Sequence, residues 1–141
     1  MADWPDDPDA FLEAYMDAWN RADLDRICDA YHTPSLIYKH GEVQANLDET
    51  AKRAYFGALL DGTRSALVAG ARWERPEFAL TPLGRDSTIA TVRWVFRAAD
   101  GTILEDYLDS YYLVRLGGRW QFLGDTVHAD STIGPRPGHL R

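Results

Sequence analysis

One carboxylate lies within a predicted aromatic surface. Asp109 is two residues from Tyr107 and two from Tyr111, in a run that alternates like a β-strand, so the three side chains share one face. An ionised carboxylate is costly to bury, so we expect burial to raise the pKa of Asp109 and favour the protonated acid. The residues leave an alternative open, in which Asp109 caps a loop or pairs with an arginine such as Arg93 or Arg97.

A tyrosine and a histidine are further candidates for this chemistry. Tyr15 lies on the apolar stripe of the first predicted helix, between Phe11 and Trp19, where a tyrosine is usually part of the core. His128 lies near the end of the last predicted strand, where a histidine is more often a half-exposed surface residue than a base. The sequence alone therefore assigns neither side chain a role.

The sequence contains no pattern typical of a metal or cofactor site. The four histidines have no zinc-site spacing, and the single cysteine, Cys28, forms neither an internal disulfide nor a Cys-x-x-Cys motif. Nucleophile elbows, Walker loops and dinucleotide-binding glycine motifs are also missing. We expect neither a metal nor a cofactor.

Composition bounds the class of protein. The 141 residues have a net charge of −7, and the first thirty residues hold nine acidic and only two basic side chains. This charge argues against a nucleic-acid-binding protein, which needs a basic face for phosphates. With no signal peptide and no run of apolar residues long enough to span a membrane, we expect a cytoplasmic location and no membrane partner.

The spacing of apolar residues changes near the middle of the chain, from the helical period to the alternation of β-strands. The elements that must position the candidate residues are therefore helices first and strands afterwards. Helical spacing predicts helices that start at Asp7-Pro8 and at Asp23, the second ending at 32–34, and a third over 48–61. The inward residues of the third are predicted to be Ala51, Ala54, Tyr55, Ala58 and Leu59. Strands are predicted over 35–42, 71–80, 87–98, 102–116 and 119–129.

This order predicts an α+β fold in which a curved antiparallel sheet wraps around N-terminal helices. We expect one domain over 1–141, with a core at about 8–130 and a flexible tail at 131–141. Alternation in the last strand puts Phe122, Gly124, Thr126 and His128 on one face and Asp125 on the opposite face. Both faces of the later strands carry apolar residues, so the outer face is a candidate homodimer interface.

Two segments resemble the nuclear transport factor 2-like superfamily. They are the run from Ala14 to Tyr31, AYMDAWNRADLDRICDAY, and the run YYLVRLGGRWQF that begins at Tyr111. The resemblance covers roughly 8–130 and implies a conical barrel that encloses a deep pocket and is usually dimeric. Because this fold hosts many reactions, it implies the fold more strongly than any one activity.

Within that superfamily, the ketosteroid isomerases match at two positions. The resemblance implies that Tyr15 is the catalytic tyrosine and Asp109 the oxyanion-hole acid, ten residues before Arg119. A tyrosine and a protonated aspartic acid that donate to one enolate oxygen are a known arrangement in that enzyme. The general-base aspartate falls on Lys39, which departs from the pattern. Candidate replacements are His40, Tyr38 and His128.

These observations predict a pocket for a small hydrophobic carbonyl compound. One hypothesis is a cofactor-independent isomerase or lyase that uses Tyr15 and Asp109, with His40 or His128 as base. The alternatives are a non-catalytic binding module for an apolar ligand and a dimeric structural domain whose pocket is plugged by its own aromatic residues. The expected ligand contacts are Trp19, Tyr38, Trp94, Tyr111, Phe122 and Thr126.

Overall fold

The computed structural model describes residues 3–129, so the predicted tail at 131–141 lies outside the described residues. Four helices and six strands follow one another along the chain. They are α1 (Pro8–Asn20), α2 (Leu24–Asp29), β1 (Tyr31–Lys39), β2 (Glu42–Asn46), α3 (Glu49–Asp61), α4 (Arg64–Val68), β3 (Arg72–Gly84), β4 (Ser87–Arg97), β5 (Ile103–Leu116) and β6 (Arg119–Val127). No helix among these is long and apolar enough to cross a membrane.

The first helix forms as its sequence predicts, and the second ends early. Asp7 caps α1 by accepting a hydrogen bond from the backbone N–H of Ala10 at 3.0 Å, and Pro8 occupies the first turn. Helix α2 ends at Asp29, so the predicted extension to 32–34 is wrong. Tyr31 instead begins β1 and pairs with Phe122 of β6, because pairing with the sheet outweighs the helical spacing.

Helix α3 has the predicted bounds but a different buried face. Its buried residues are Lys52, Phe56 and Leu60, rather than the alanine-rich stripe that the spacing predicts. Lys52 accounts for the difference, since its Nζ donates to the backbone carbonyl of Tyr31 at 2.9 Å and lies 3.3 Å from a carboxylate oxygen of Glu49. A lysine can therefore be buried here because its charge and its protons are satisfied.

The six strands form one curved, unclosed sheet in the order β2-β1-β6-β5-β4-β3. Strand β1 runs parallel to β6, while every other neighbouring pair is antiparallel. The α+β prediction is confirmed, but the expectation of a purely antiparallel sheet is wrong at this pair. The chain crosses from β1 through α3 and most of the sheet before β6 returns to lie beside it, and this long connection permits parallel pairing.

A β-bulge interrupts β6. Tyr112 of β5 pairs with Gly124, whereas the next residue, Leu113, pairs with Phe122, so Leu123 has no partner in the register. A bulge shifts the alternation of side chains by one position. Phe122 and Asp125 consequently lie on the same face of the sheet, and the predicted separation of these two residues onto opposite faces is wrong.

Candidate functional site

A cavity of about 460 Å³ lies between the helices and the inner face of the sheet. Nine tyrosine, tryptophan and phenylalanine side chains from α1, β1, α3, β3, β4 and β5 line it: Tyr15, Trp19, Tyr31, Tyr55, Phe56, Trp73, Trp94, Tyr107 and Tyr111. The volume is within the range of small-molecule sites. The aromatic side chains leave this space open, which disfavours the hypothesis of a pocket plugged by its own residues.

Two carboxyl groups lie together on the cavity wall. Asp109 on β5 is 4% exposed, and Asp125 on β6 is half-buried. Cross-strand pairing places Asp125 opposite Tyr111, so the two carboxyls are diagonal neighbours on the inner face. Each carboxyl influences the pKa of the other, as expected for neighbours that can share one proton.

Burial and proximity together favour the proton on Asp109. Desolvation raises the pKa of Asp109 well above its ordinary value, and the nearby charge of Asp125 raises it further. Burial also raises the pKa of Asp125, but hydrogen bonds from Asp109 and Tyr31 oppose that effect. The more accessible carboxyl is thus the one that ionises first, as expected for two carboxyls at one site.

Tyrosines approach the carboxyl pair from both sides. The Tyr31 hydroxyl donates to Oδ1 of Asp125 at 2.9 Å, and Tyr15 lies within hydrogen-bonding range of Tyr31. On the other side, Nε1 of Trp94 donates to the Tyr111 hydroxyl at 2.8 Å, and the Tyr111 hydroxyl lies near Asp109, where it opposes the rise in the pKa of that carboxyl. Because an indole N–H group only donates, the Tyr111 hydroxyl is the acceptor in that bond and its own proton is free for Asp109.

These tyrosines remain protonated. Burial raises the pKa of Tyr15, Tyr31, Tyr107 and Tyr111, and the neighbouring carboxyls add to the shift. A hydroxyl whose pKa is raised is a donor, not a base, at neutral pH. The site therefore offers several neutral donors and one carboxylate around an apolar space.

No arginine neutralises Asp109 among the described residues. Arg93 forms ion pairs with Asp106 and Glu77, and Arg97 pairs with Glu74. The buried Oδ1 of Asp109 has no hydrogen-bond donor within the part of the chain that the structure describes. The alternative in which an arginine satisfies Asp109 is therefore not the arrangement observed.

The mouth of the cavity holds the residues expected to replace the missing base. Lys39 and His40 are exposed there, His40 with a positive φ of 50° at the turn between β1 and β2. Lys39 faces Glu105, and its charge opposes the rise that burial causes in the Glu105 pKa. His128 lies at the rim with its Nε2 2.8 Å from the Ser110 hydroxyl, and burial lowers its pKa.

Three predicted ligand contacts lie outside the cavity lining. Tyr38 is 46% exposed and pairs with the exposed Thr126, so both side chains lie on the outer face. Their expected position on the pocket wall is corrected, because the bulge in β6 reverses the alternation that placed Thr126 inward. Phe122 is fully buried behind the wall, in contact with the rings of Tyr15 and Tyr111.

Sequence reasoning missed Asp125 as a cavity residue. Strict alternation places it outward, and only the bulge brings it beside Asp109. The available signal was Gly124, since a glycine inside a strand often marks a bulge or a close backbone approach. A Cβ at Gly124 would lie 2.2 Å from the Leu36 carbonyl oxygen, so the approach of β1 requires glycine there.

Metal binding finds no support in the described part of the chain. Among residues 3–129, no group of three or more histidine, cysteine, aspartate or glutamate side chains could hold a metal ion. The carboxyl pair itself has only two such members. The chemistry that this arrangement can perform is hydrogen bonding and proton transfer at an apolar wall.

Solved structures of the same shape come from several bacteria. An NTF2-like protein with a cystatin-like fold from Novosphingobium aromaticivorans is 15% identical, with a TM-score of 0.69 over 92% of this chain and 84% of that one. A protein of unknown function from Nostoc punctiforme is 10% identical, with a TM-score of 0.68 over 84% and 85%. A proposed ketosteroid isomerase from Shewanella frigidimarina is 17% identical, with a TM-score of 0.61 over 83% and 90%.

These identities establish the fold and leave the reaction open. No curated protein matches the sequence. A family model described as NTF2-like protein (DUF6841) matches residues 6–130, nearly the whole of the described chain. The chain therefore belongs to this NTF2-like family.

Proposed function

We propose that the cavity binds a small hydrophobic carbonyl compound and stabilises its enolate, as a cofactor-independent isomerase or lyase. The observation that carries the proposal is the buried Asp109 beside Asp125 on an aromatic wall. A protonated carboxyl in a water-poor site is a strong, pre-oriented hydrogen-bond donor to an oxygen that gains negative charge.

Tyr15 is the second proposed donor. Its hydroxyl is buried in the same cavity, and burial keeps it protonated by raising its pKa. The similarity to a proposed ketosteroid isomerase from Shewanella frigidimarina is consistent with this role, although that match supports the fold alone. The ligand is expected to carry a large apolar part, since nine tyrosine, tryptophan and phenylalanine side chains line the cavity.

A non-catalytic binding module is the second candidate. The observation that favours it is Lys39, a cation at the cavity mouth where the resembling isomerases have their base. In that case the same donors hold a ligand oxygen without any proton transfer. Both candidates require ligand binding at Tyr15 and Asp109, so binding is tested first.

Binding is tested with 2-naphthol, whose hydroxyl stands in for the enolate oxygen and whose rings fit an aromatic wall. Calorimetric titration of the wild type should show saturable binding. Tyr15→Phe and Asp109→Ala should each weaken it by roughly tenfold, the effect of one hydrogen bond to a charged group. Tyr112→Phe, on the outer face, is the matched control. Unchanged binding in both cavity variants would contradict the proposal.

A further inference from the structure

The proposed chemistry needs a base, and Asp125 is the carboxylate closest to the donor pair. It lines the cavity, neighbours Asp109 on the inner face and accepts a hydrogen bond from Tyr31 at 2.9 Å. Tyr31 is itself buried and rigidly packed against Phe56 and Phe122. The Asp125 carboxylate is therefore held in place by a side chain that cannot move freely.

The other basic groups at the cavity are less suited to this role. Lys39 and His40 are exposed at the mouth. The charge of Lys39 acts on Asp109 and opposes the rise in its pKa, but an ammonium group donates hydrogen bonds and has no acceptor for a proton. The Nε2 atom of His128 is occupied by Ser110, which also hydrogen bonds to Thr91 at 2.8 Å on the outer face of the sheet. Tyr38 lies on that outer face as well.

We propose that Asp125 is the catalytic base of the cavity and that it acts as one half of a carboxyl pair with Asp109. With the ligand bound, the Asp109 proton turns from Asp125 to the carbonyl oxygen, and Asp125, freed of that hydrogen bond, removes a proton from the carbon next to the carbonyl. This assignment rests on the proposed function and names the reaction class of the same site.

The step balances without a co-reactant. The C–H bond breaks, its proton forms an O–H bond with Asp125, and its electron pair forms the carbon–carbon double bond of the enolate. The π bond of the carbonyl breaks at the same time, and its electron pair moves onto the carbonyl oxygen. The negative charge moves from Asp125 to the ligand oxygen, where the proton of Asp109 and the hydroxyl of Tyr15 stabilise it. Return of the proton from Asp125 to the same or a conjugated carbon restores both carboxyls to their starting states.

The pair also restricts the substrate. Acid and base are neighbouring groups, which matches a carbonyl oxygen and an acidic C–H bond on adjacent carbons. A carboxylate or phosphate at the reacting end would be repelled by the ionised Asp125. The substrate class is therefore an uncharged ketone or aldehyde with an α-hydrogen and a hydrophobic body.

Hydrogen–deuterium exchange tests this role directly. The probe is 2-tetralone in D₂O, with loss of its α-proton signals followed by NMR. Wild type should accelerate exchange over buffer, and Asp125→Asn should slow the protein-catalysed rate by about 100-fold, within the range of general-base catalysis. Asp86→Asn, in the exposed turn between β3 and β4, is the matched control and should exchange at the wild-type rate.

Binding separates loss of the base from loss of the site. Asp125→Asn should still bind 2-naphthol, at least as tightly as wild type, because a neighbouring negative charge has been removed. In Asp125→Ala, added formate should restore part of the exchange. Wild-type exchange in Asp125→Asn, or 2-naphthol binding without any catalysed exchange in wild type, would overturn the assignment of Asp125 alone. Failure of wild type to bind 2-naphthol would overturn the proposed function and this assignment with it.

Discussion

At the scale of single residues, burial of Asp109 lowers the stability of the folded protein when the carboxyl ionises, and the same burial makes the protonated carboxyl a good hydrogen-bond donor to a ligand. Burial among aromatic rings disfavours its ionised form, and Asp125 beside it adds like-charge repulsion. The same surroundings keep a donor in a place where water would otherwise compete for the ligand oxygen. A group that is expensive to ionise is thus well suited to hold a developing anion.

The raised pKa makes a prediction about stability and pH. The folded protein binds the Asp109 proton more tightly than the unfolded chain does, whose carboxyl titrates near 3.8. Stability from this group is therefore fully present below pH 3.8 and is lost as pH rises toward the folded pKa, at up to about 1.4 kcal/mol per pH unit. The titratable groups that face Asp109 are Tyr15 on α1, Lys39 on β1, Tyr107 and Tyr111 on β5, and Asp125 on β6.

Asp109→Asn keeps the size of the side chain and a donor but removes this titration. Its free energy of unfolding should rise relative to wild type as the pH is raised from about 4 to about 7. Urea unfolding at a series of pH values measures the difference. The control Asp86→Asn removes an exposed carboxylate and should follow wild type throughout. If the difference in unfolding free energy between wild type and Asp109→Asn does not change with pH, the raised pKa of the buried Asp109 is contradicted.

At the scale of elements, the bulge in β6 decides which residues reach the cavity. It requires Gly124, because β1 passes so close that a Cβ there would lie 2.2 Å from the Leu36 carbonyl oxygen. Gly124→Ala should therefore destabilise the protein by about 1–3 kcal/mol, the usual effect of overpacking, and slow the catalysed exchange of 2-tetralone by displacing Asp125.

Thermal unfolding and the 2-tetralone exchange assay check this prediction. Gly84→Ala in β3 is the matched control, since its Cβ would meet no atom within 4 Å and its φ is not in the left-handed region. It should leave both readouts near wild type. If the two glycine variants are equally stable, the prediction is wrong, because β1 and β6 then do not pack closely enough at Gly124 to exclude a Cβ.

The elements also show where sequence reasoning succeeded and where it stopped. Local signals predicted α1, α3 and the later strands well. The Asp7 and Asp48 side chains cap the two helices, and side chains alternate every second residue along the strands. Both features are properties of short segments. The inner face of β5, and with it Asp109, followed from alternation. Long-range contacts decided the rest: β1 begins at Tyr31 because it pairs with β6, and Asp125 turns inward because of a bulge.

At the scale of the whole molecule, charge and apolar surface are separated. The negative charge is concentrated in the first thirty residues, on α1, α2 and their caps. The outer face of the sheet instead carries a shallow groove lined by Leu36, Tyr38, Val43 and Tyr112, of which Leu36 is 54% and Tyr112 is 42% exposed. Two copies with a net charge of −7 each approach most easily through such a mainly apolar surface.

We propose that a second copy of the chain covers this groove in a symmetric homodimer. In a symmetric interface each copy contributes the same surface, so one substitution places two like charges in the interface, one from each copy. Tyr112→Glu should therefore shift sedimentation velocity from dimer to monomer while leaving 2-naphthol binding intact, because Tyr112 points away from the cavity. Leu83→Glu, an exposed apolar residue at the end of β3 outside the groove, is the matched control and should remain dimeric. A wild type that sediments as a monomer at high micromolar concentration would contradict the interface and leave the cavity chemistry to each chain alone.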